Sequence, residues 1–447
     1  MAAMTAAEAA AAIRAGSLTS VDLVRACLER IQALEPSIGA WAFLDPAYAL
    51  AQAEAADRRR AAGDPLGPLH GVPVGIKDIF DTADMPTENG TVLHAGRTPA
   101  EDCAAVALLR RAGAVVMGKT VTTELAVYAP GKTRNPAAPE HTPGGSSSGS
   151  AAAIAAGMAP LAIGSQTNGS IIRPASYCGV VGYKPTRGLI SRYGGLSQSR
   201  FLDTVGVLAA NVGDAALIAD VLMVFDGRDP GQQMRARSTL VETAAADFPV
   251  APRLAFVRTH LWDRLDADAA KAFENLADRF PGIVAEVVLP DWTAKGLDWH
   301  RTILEADLAR SFTAEYEQGR DRLSPVLREM IERGQTHRAV DYNDALDGAT
   351  RLHDAIAAVL RSYDAILTPG TTGTAPRGLE STGSPMFCTL WTLGGVPAVS
   401  LPLLKGQNGL PLGIQLVGRR GDDARLLRTA RWLSKLAVQP CTVERRA

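Results

Sequence analysis

Two periodicities divide the chain. Thr19-Ser20-Val21-Asp22 forms a helix-start pattern, a capping box with Asp in place of Glu. Behind it, Val24, Cys27, Leu28, Ile31 and Leu34 recur at helical spacing. Residues 5–63 therefore read as helices. From about residue 70 the pattern shortens. Apolar runs such as "VPVGI" and "AVVM" alternate with Gly-rich turns and Ala-rich helical stretches, the alternation of an α/β core. Residues 265–360 return to charged, helical patterns. Strand-like runs reappear at "AILTP", "PAVSLPL" and "GIQLVG", and a last helix is expected around 422–436. No internal repeat or long low-complexity linker interrupts the chain. The pattern predicts one domain over residues 1–447. It has a Gly-rich core at about 70–210, a helical elaboration at about 225–345 on its edge, and C-terminal core strands at about 360–435.

Composition narrows this picture without redirecting it. The 447 residues are 47% hydrophobic and 21% charged, with a formal net charge of -1. That balance suits a large core and offers no electrostatic reason for nucleic acid or an anionic membrane as partner. The N-terminal "MAAMTAAEAAAAIRAG" lacks a basic start and carries Glu8, so it does not read as a signal peptide. No run of ~18 strongly apolar residues predicts a membrane span. Five scattered cysteines (Cys27, Cys103, Cys178, Cys388, Cys441) form no CxxC pair. They read as reduced thiols of a cytoplasmic protein, not as a disulfide framework or thiolate zinc site.

Two motif matches fail on context. Gly113–Thr120 fits the phosphate-loop pattern GxxxxGK[ST], but its middle residues Ala-Val-Val-Met are strand-like. Their N–H groups are expected in a sheet ladder instead of around a phosphate. Gly145–Gly149 fits the GxSxG nucleophile elbow. The preceding "NPAAPEHTPG" carries three prolines and cannot be the strand that elbow requires. The downstream histidines His260, His300, His337 and His353 all lie in helical, polar contexts, which argues against a Ser-His-Asp triad.

A serine nucleophile without histidine needs another base, and lysine serves only when neutral. Lys77 in "GVPVGIKDIF" follows Val72, Pro73, Val74 and Ile76 and precedes Ile79 and Phe80. Such surroundings can depress its pKa. Equally, it can be a strand-end lysine reaching solvent or pairing with Asp78. In "LAIGSQTNGSIIRPAS" a short apolar run enters a Gly-rich turn whose N–H groups can converge as an oxyanion hole, with Ser170 directly after it. An ordinary turn with an incidental serine has the same letters.

Taken together, Lys77, the 144–149 Gly/Ser turn and Ser170 resemble the amidase signature family. The likeness runs from "HTPGGSSSGSAAAIAAG" through "YKPTRG". It extends to "LHGVPVGIKDIFD", "GAVVMGKTVTTELA", "RFLDTVGVLAANVGDAALI", "YDAILTPGT", "LGGVPAVSLPL" and "GLPLGIQLVG", spanning roughly residues 15–220 and 360–435. It implies an α/β amidase signature fold, a mixed twisted sheet covered by helices on both faces. It also implies a Ser-Ser-Lys triad: Lys77 as base, Ser146 as the middle serine after a cis peptide bond, Ser170 as nucleophile. N–H groups around Gln166, Thr167, Asn168 and Gly169 would hold the oxyanion. Hydrolysis would pass through an acyl-enzyme with no metal or cofactor.

Departures from the family pattern refine the expectation. Where the family commonly shows T-D-T-G-G-S-I-R, this chain has Ser165-Gln166-Thr167-Asn168-Gly169-Ser170-Ile171-Ile172-Arg173. Asn168 replaces a glycine and tolerates a left-handed conformation well. Gln166 and the shifted Arg173 resemble the malonamidase-like branch and argue against the A subunit of glutamyl-tRNA amidotransferase. Arg173 either binds a substrate carboxylate or is a structural arginine capping loop carbonyls. Tyr128, Met386, Phe387 and Trp391 are candidate pocket residues that serve equally as core. Thr392 stands where the family often has Asn. The resulting expectation is a stand-alone amidase acting on a small amide, carbamate (urethane) or ester, as a monomer or homodimer. The alternatives are a glutaminase component of an amidotransferase, a non-catalytic binding homologue, and an ATP-dependent enzyme using Gly113–Thr120.

Overall fold

A computed structural model describes residues 4–232 and 234–438, so Cys441 lies outside the described residues. The Thr19 hydroxyl accepts from the Asp22 N–H and starts the helix Ser20–Ile38. The reciprocal half of the box differs from expectation: the Asp22 carboxylate accepts a hydrogen bond from the Thr19 hydroxyl at 2.6 Å. Val24, Cys27 and Ile31 turn inward, with Leu28 and Leu34 at the margin of the same cluster.

Eleven strands form one sheet. In chain order they are β1 (Trp41–Leu44), β2 (Pro73–Lys77), β3 (Val115–Thr120), β4 (Leu161–Gln166), β5 (Val181–Lys184), β6 (Thr204–Ala209), β7 (Leu254–Phe256), β8 (Val284–Glu286), β9 (Ala365–Pro369), β10 (Ala398–Lys405) and β11 (Pro411–Val417). Their spatial order is β1-β3-β2-β4-β6-β5-β10-β11-β9-β7-β8. The sheet is mixed. β3, β2 and β4 run parallel to one another, as do β9, β7 and β8, while the central pairings are antiparallel.

Period-2 alternation sends side chains to both faces, and helices cover each. Val115 and Met117 of β3 pack with the N-terminal helices, whereas Val116 joins the opposite cluster. Val115–Thr120, the run that mimics a phosphate loop, is this strand, fully buried. Lys119 there donates to the Thr87 hydroxyl and pairs with Asp78 at 3.2 Å, so its ammonium is committed within the core.

The segment 225–345 is mainly helical. It also contributes β7 and β8, three-residue strands at the sheet edge that the helical pattern did not predict. Its helix Gly296–Ser311 packs against the helices Pro325–Gly334, Ala339–Val359 and Met386–Leu393. Among the described residues, no helix is long and apolar enough to cross a membrane. The four described cysteines are buried and unpaired.

Two details of this fold place the site. β2 and β4 run parallel, with Ile76 in register with Ile163, so both strands end at one sheet edge, at Lys77 and Gln166. Open α/β sheets place their ligands at such carboxyl edges. The Ala-rich helix Ser148–Ala155 follows the Gly/Ser turn and is buried almost throughout. Gly149 lets it come close: a Cβ there would stand 2.2 Å from the Ala40 carbonyl oxygen and 2.3 Å from the Val121 nitrogen.

Candidate active site

Lys77 ends β2 with no exposed surface. Its Nζ lies 2.7 Å from Ser146 Oγ and 2.8 Å from Ser165 Oγ. Burial pushes its pKa well below the ordinary lysine range, and the charge of Asp203 partly opposes that shift. The strand-end alternative, an exposed lysine or a partner of Asp78, is not what the fold builds; Asp78 pairs with Lys119 instead. A neutral amine carries one lone pair and two N–H groups. It can take the Ser146 proton while donating to Ser165.

Ser146 follows a cis peptide bond to Gly145. No strand precedes this turn. Ser147, the central serine of the elbow pattern, lies near the Ser165 backbone, 3.3 Å from both its carbonyl oxygen and its nitrogen. Its own N–H donates to the Ser170 carbonyl at 3.3 Å, joining the two serine-bearing turns. The Ser170 hydroxyl makes no hydrogen bond to a described residue. It faces a small cavity whose wall is Ala126, Val127, Leu304 and Leu308 with Tyr128, Thr167, Asn168 and Gln198.

The turn between β4 and the helix Ile172–Cys178 is held by its carbonyls. Thr167 O faces His300 Nε2 at 2.9 Å. Asn168 O accepts from the Thr392 hydroxyl at 2.5 Å. Gly169 O accepts from the Arg173 N–H at 2.9 Å. In a trans peptide the C=O and the following N–H point in opposite directions. Each clamped carbonyl therefore turns the next N–H (Asn168, Gly169, Ser170) to the other side. None of these N–H groups, nor that of Thr167, finds an acceptor among the described residues. Such unsatisfied donors on a rigid turn are what an oxyanion requires.

Gln166 contributes through its side chain. Its Oε1 accepts from the N–H groups of Ile171 and Ile172 at 2.9 and 3.0 Å, and its Nε2 donates to Thr392 at 2.9 Å. Its backbone ends β4 opposite Thr204. Asn168 is not among the left-handed residues. Its amide is fixed instead by the hydroxyls of Tyr128 and Thr389. The left-handed positions next to the cavity are Leu125 and Ala126.

Of the two roles open to Arg173, its contacts match the carbonyl cap. It is 1% exposed, donates through Nε and Nη2 to Gly145 O at 3.2 and 2.7 Å, and through Nη1 to Gly383 O. Tyr128 lines the Ser170 cavity. Met386, Phe387 and Trp391 are not among its lining residues. Trp391 is instead wholly enclosed in the helical core.

Four contributors went unassigned from sequence. Ser165 is the second partner of Lys77. Asp203 is a buried carboxylate raised to about 6 by burial, bonded by the Thr167 hydroxyl at 2.7 Å and by the Ser199 N–H at 3.0 Å. His300 is 2% exposed, and burial pushes its pKa down to about 4, leaving a neutral ring whose Nε2–H donates to the Thr167 carbonyl. Thr392 joins Gln166 to Asn168. Among the described residues, no group of three or more His, Cys, Asp or Glu side chains stands together as metal ligands would.

Comparison with known proteins places the chain among amidases. A family model described as Amidase matches residues 22–427. The chain is 35% identical over 467 residues to the A subunit of the glutamyl-tRNA(Gln) amidotransferase of Chloroflexus aurantiacus, covering 95% of each chain. It superimposes on the peptide amidase of Stenotrophomonas maltophilia with a TM-score of 0.85 at 30% identity, covering 98% of this chain and 97% of that one. A structure described as a vestigial protein complex revealing the evolutionary origins of an s-triazine catabolic enzyme matches with a TM-score of 0.90 at 28% identity, over 97% and 98% of the two chains.

Proposed function

The chain belongs to the amidase signature family, and we propose that it cleaves the C–N bond of a small, uncharged amide through an acyl-enzyme on Ser170. The observation that carries this reading is the buried Lys77 amine, hydrogen-bonded to Ser146 beside a turn of unsatisfied N–H groups. Ser170 attacks the substrate carbonyl, and its proton passes through Ser146 to Lys77. The developing oxyanion takes hydrogen bonds from the turn 167–170, with Gln166 holding the turn from behind. Lys77 returns the proton through Ser146 to the leaving amine. Water then cleaves the acyl-enzyme by the same relay reversed. Ser165 holds the amine toward Ser146, and Arg173 holds the Gly145 carbonyl. Carbamates and activated esters offer the same acyl chemistry and fall within the proposal.

The cavity wall supports the substrate class. Besides Ser170, its polar members, Tyr128, Thr167, Asn168 and Gln198, are uncharged, and the rest are apolar. A charged acyl group would lose its hydration there without an ionic partner. The second reading is a glutaminase component of an amidotransferase, favoured by 35% identity to such a protein over 95% of the chain. A zwitterionic glutamine fits the uncharged wall poorly.

Release of ammonia or amine from a panel of neutral aliphatic and aryl amides, with glutamine in parallel, separates the two readings. The proposal expects turnover of neutral amides by the isolated chain and loss of that turnover in Ser170→Ala. Turnover of glutamine alone, dependent on co-purified partner proteins, would replace it with the second reading.

A further inference from the structure

Away from Ser170, the same edge of the sheet carries a cluster of cations. β5 and β11 both pair antiparallel with β10, so they run in one direction, the direction of β4. Arg187 follows the end of β5, and Arg419 and Arg420 follow the end of β11. His353 reaches the same place from the helix Ala339–Val359. Arg235, His353, Arg419 and Arg420 line one open cavity of about 290 Å³ with Ala357. Strand spacing puts it roughly 10–20 Å from β4.

Three of these guanidinium groups are not neutralised from within. Among the described residues, Arg187, Arg419 and Arg420 form no ion pair with a carboxylate. Arg187 Nη1 and Arg420 Nε are buried without an acceptor. The Arg187 guanidinium instead lies 3.9 Å from the centre of the Phe201 ring. The cations repel one another. Burial, then Arg420 and Arg192, bring Arg187 down to about 9. Burial and Arg235 lower Arg420. His353 is lowered by burial, Arg420 and Arg187, against the raising effects of the Gly394 carbonyl and Asp354. Its Nδ1 faces the Gly394 carbonyl at 3.2 Å and so bears the proton, which leaves Nε2 as the titrating nitrogen. Guanidinium groups without a carboxylate partner on an open cavity, Arg420 with a buried donor and Arg419 exposed, are the arrangement that recognises an oxyanion by forked hydrogen bonds.

We propose that His353, Arg419 and Arg420, with the charge of Arg187 behind them, form a binding site for a doubly charged oxyanion of the phosphate class, carried by a small molecule. An anion there offers the Arg420 guanidinium an acceptor and relieves the repulsion among the cations. It also raises the pKa of His353, so binding takes up a proton. A terminal phosphate monoester or inorganic phosphate supplies two charges at one point. A nucleic-acid phosphodiester supplies one charge per residue along a strand and suits a concave cavity less well.

The test is calorimetric titration of the whole protein in 150 mM salt with inorganic phosphate, with sulfate, and with an unphosphorylated oligonucleotide. Sulfate keeps its charge between pH 6 and 8, so it reports on the protein's proton alone. The proposal expects saturable binding of phosphate and sulfate, with sulfate tighter at pH 6 than at pH 8. Arg419→Ala/Arg420→Ala should weaken both at least tenfold, and His353→Ala should remove the pH dependence. All variants should keep the rate at which Ser170 is labelled by a fluorophosphonate, which shows that they are folded. Absence of saturable binding, binding unchanged in the double variant, or binding of the oligonucleotide in place of the small anions would each overturn the proposal.

Discussion

Replacing Lys77 by methionine should impair catalysis and relieve the fold at the same time. Methionine is apolar, nearly as long, and fits a site with no solvent contact. Two effects compete in stability. The amine's hydrogen bonds to Ser146 and Ser165 are lost, at about 1 kcal/mol each. Against this, each pKa unit by which burial depresses the lysine costs the fold about 1.4 kcal/mol. The sign follows from proton counting. Between the depressed pKa of the folded state and the ordinary value near ~10.4, the unfolded chain binds one proton more than the folded one. Parent stability therefore rises with pH in that window, by up to about 1.4 kcal/mol per pH unit, and the burden is gone above it. Methionine carries no such slope. Urea denaturation of both proteins from pH 7 to 9.5 measures the difference. The variant's advantage should be largest at the low end and shrink steadily as pH rises. Amide turnover should meanwhile fall by about 10²–10⁴-fold, the usual worth of a general base. A stability difference that stays flat with pH would refute the reasoning. It would mean that Lys77 titrates alike in both states, stays protonated in the folded enzyme and cannot act as base.

The oxyanion turn and its neighbours give further expectations. Thr392→Val leaves the Asn168 carbonyl and the Gln166 amide unsatisfied; it should cost about 2–4 kcal/mol of stability and lower kcat about 10–100-fold with KM little changed. His300→Leu should lower kcat in the same way, with His300→Gln restoring part of it by donating again to the Thr167 carbonyl; equal rates in the two variants would leave His300 as packing only. Asp203→Asn removes a charge that raises the Lys77 pKa, so the acid limb of the kcat/KM profile should move to lower pH; an upward shift would contradict that coupling.

Much of this site was legible because its parts lie in contiguous motifs. "GIKD" places a lysine directly after apolar strand residues, and β2 buries it. "GGSSSGS" marks a Gly-rich turn leading into a closely packed helix, with the cis bond before Ser146 in the turn and Gly149 at the close approach of the helix. The phosphate-loop match fails on its Ala-Val-Val-Met interior, which leads into β3 at Val115. The two alternatives for Arg173 are visible from its position, whereas its contacts to the carbonyls of Gly145 and Gly383 appear only in the fold. The rest depended on distance in sequence. His300 lies on a helix whose buried face also carries Glu305 and Asp307, so no clean apolar stripe marks it, and it meets a turn 133 residues earlier. Thr392 looks like one more small residue among Phe387, Cys388 and Trp391, yet its hydroxyl carries the contact while Trp391 packs as core. In sequence Asp203 is only part of a family segment. Its role exists once β6 is laid beside β4. β7 and β8, three residues each, are too short to leave a period in the sequence.

Labelling with a reactive fluorophosphonate, read by intact mass on the parent and on Ser170→Ala, tests the central claim without knowledge of the substrate. The account predicts one adduct on the parent and none on the variant. Equal labelling of both proteins would contradict it, since the activated serine would then lie elsewhere.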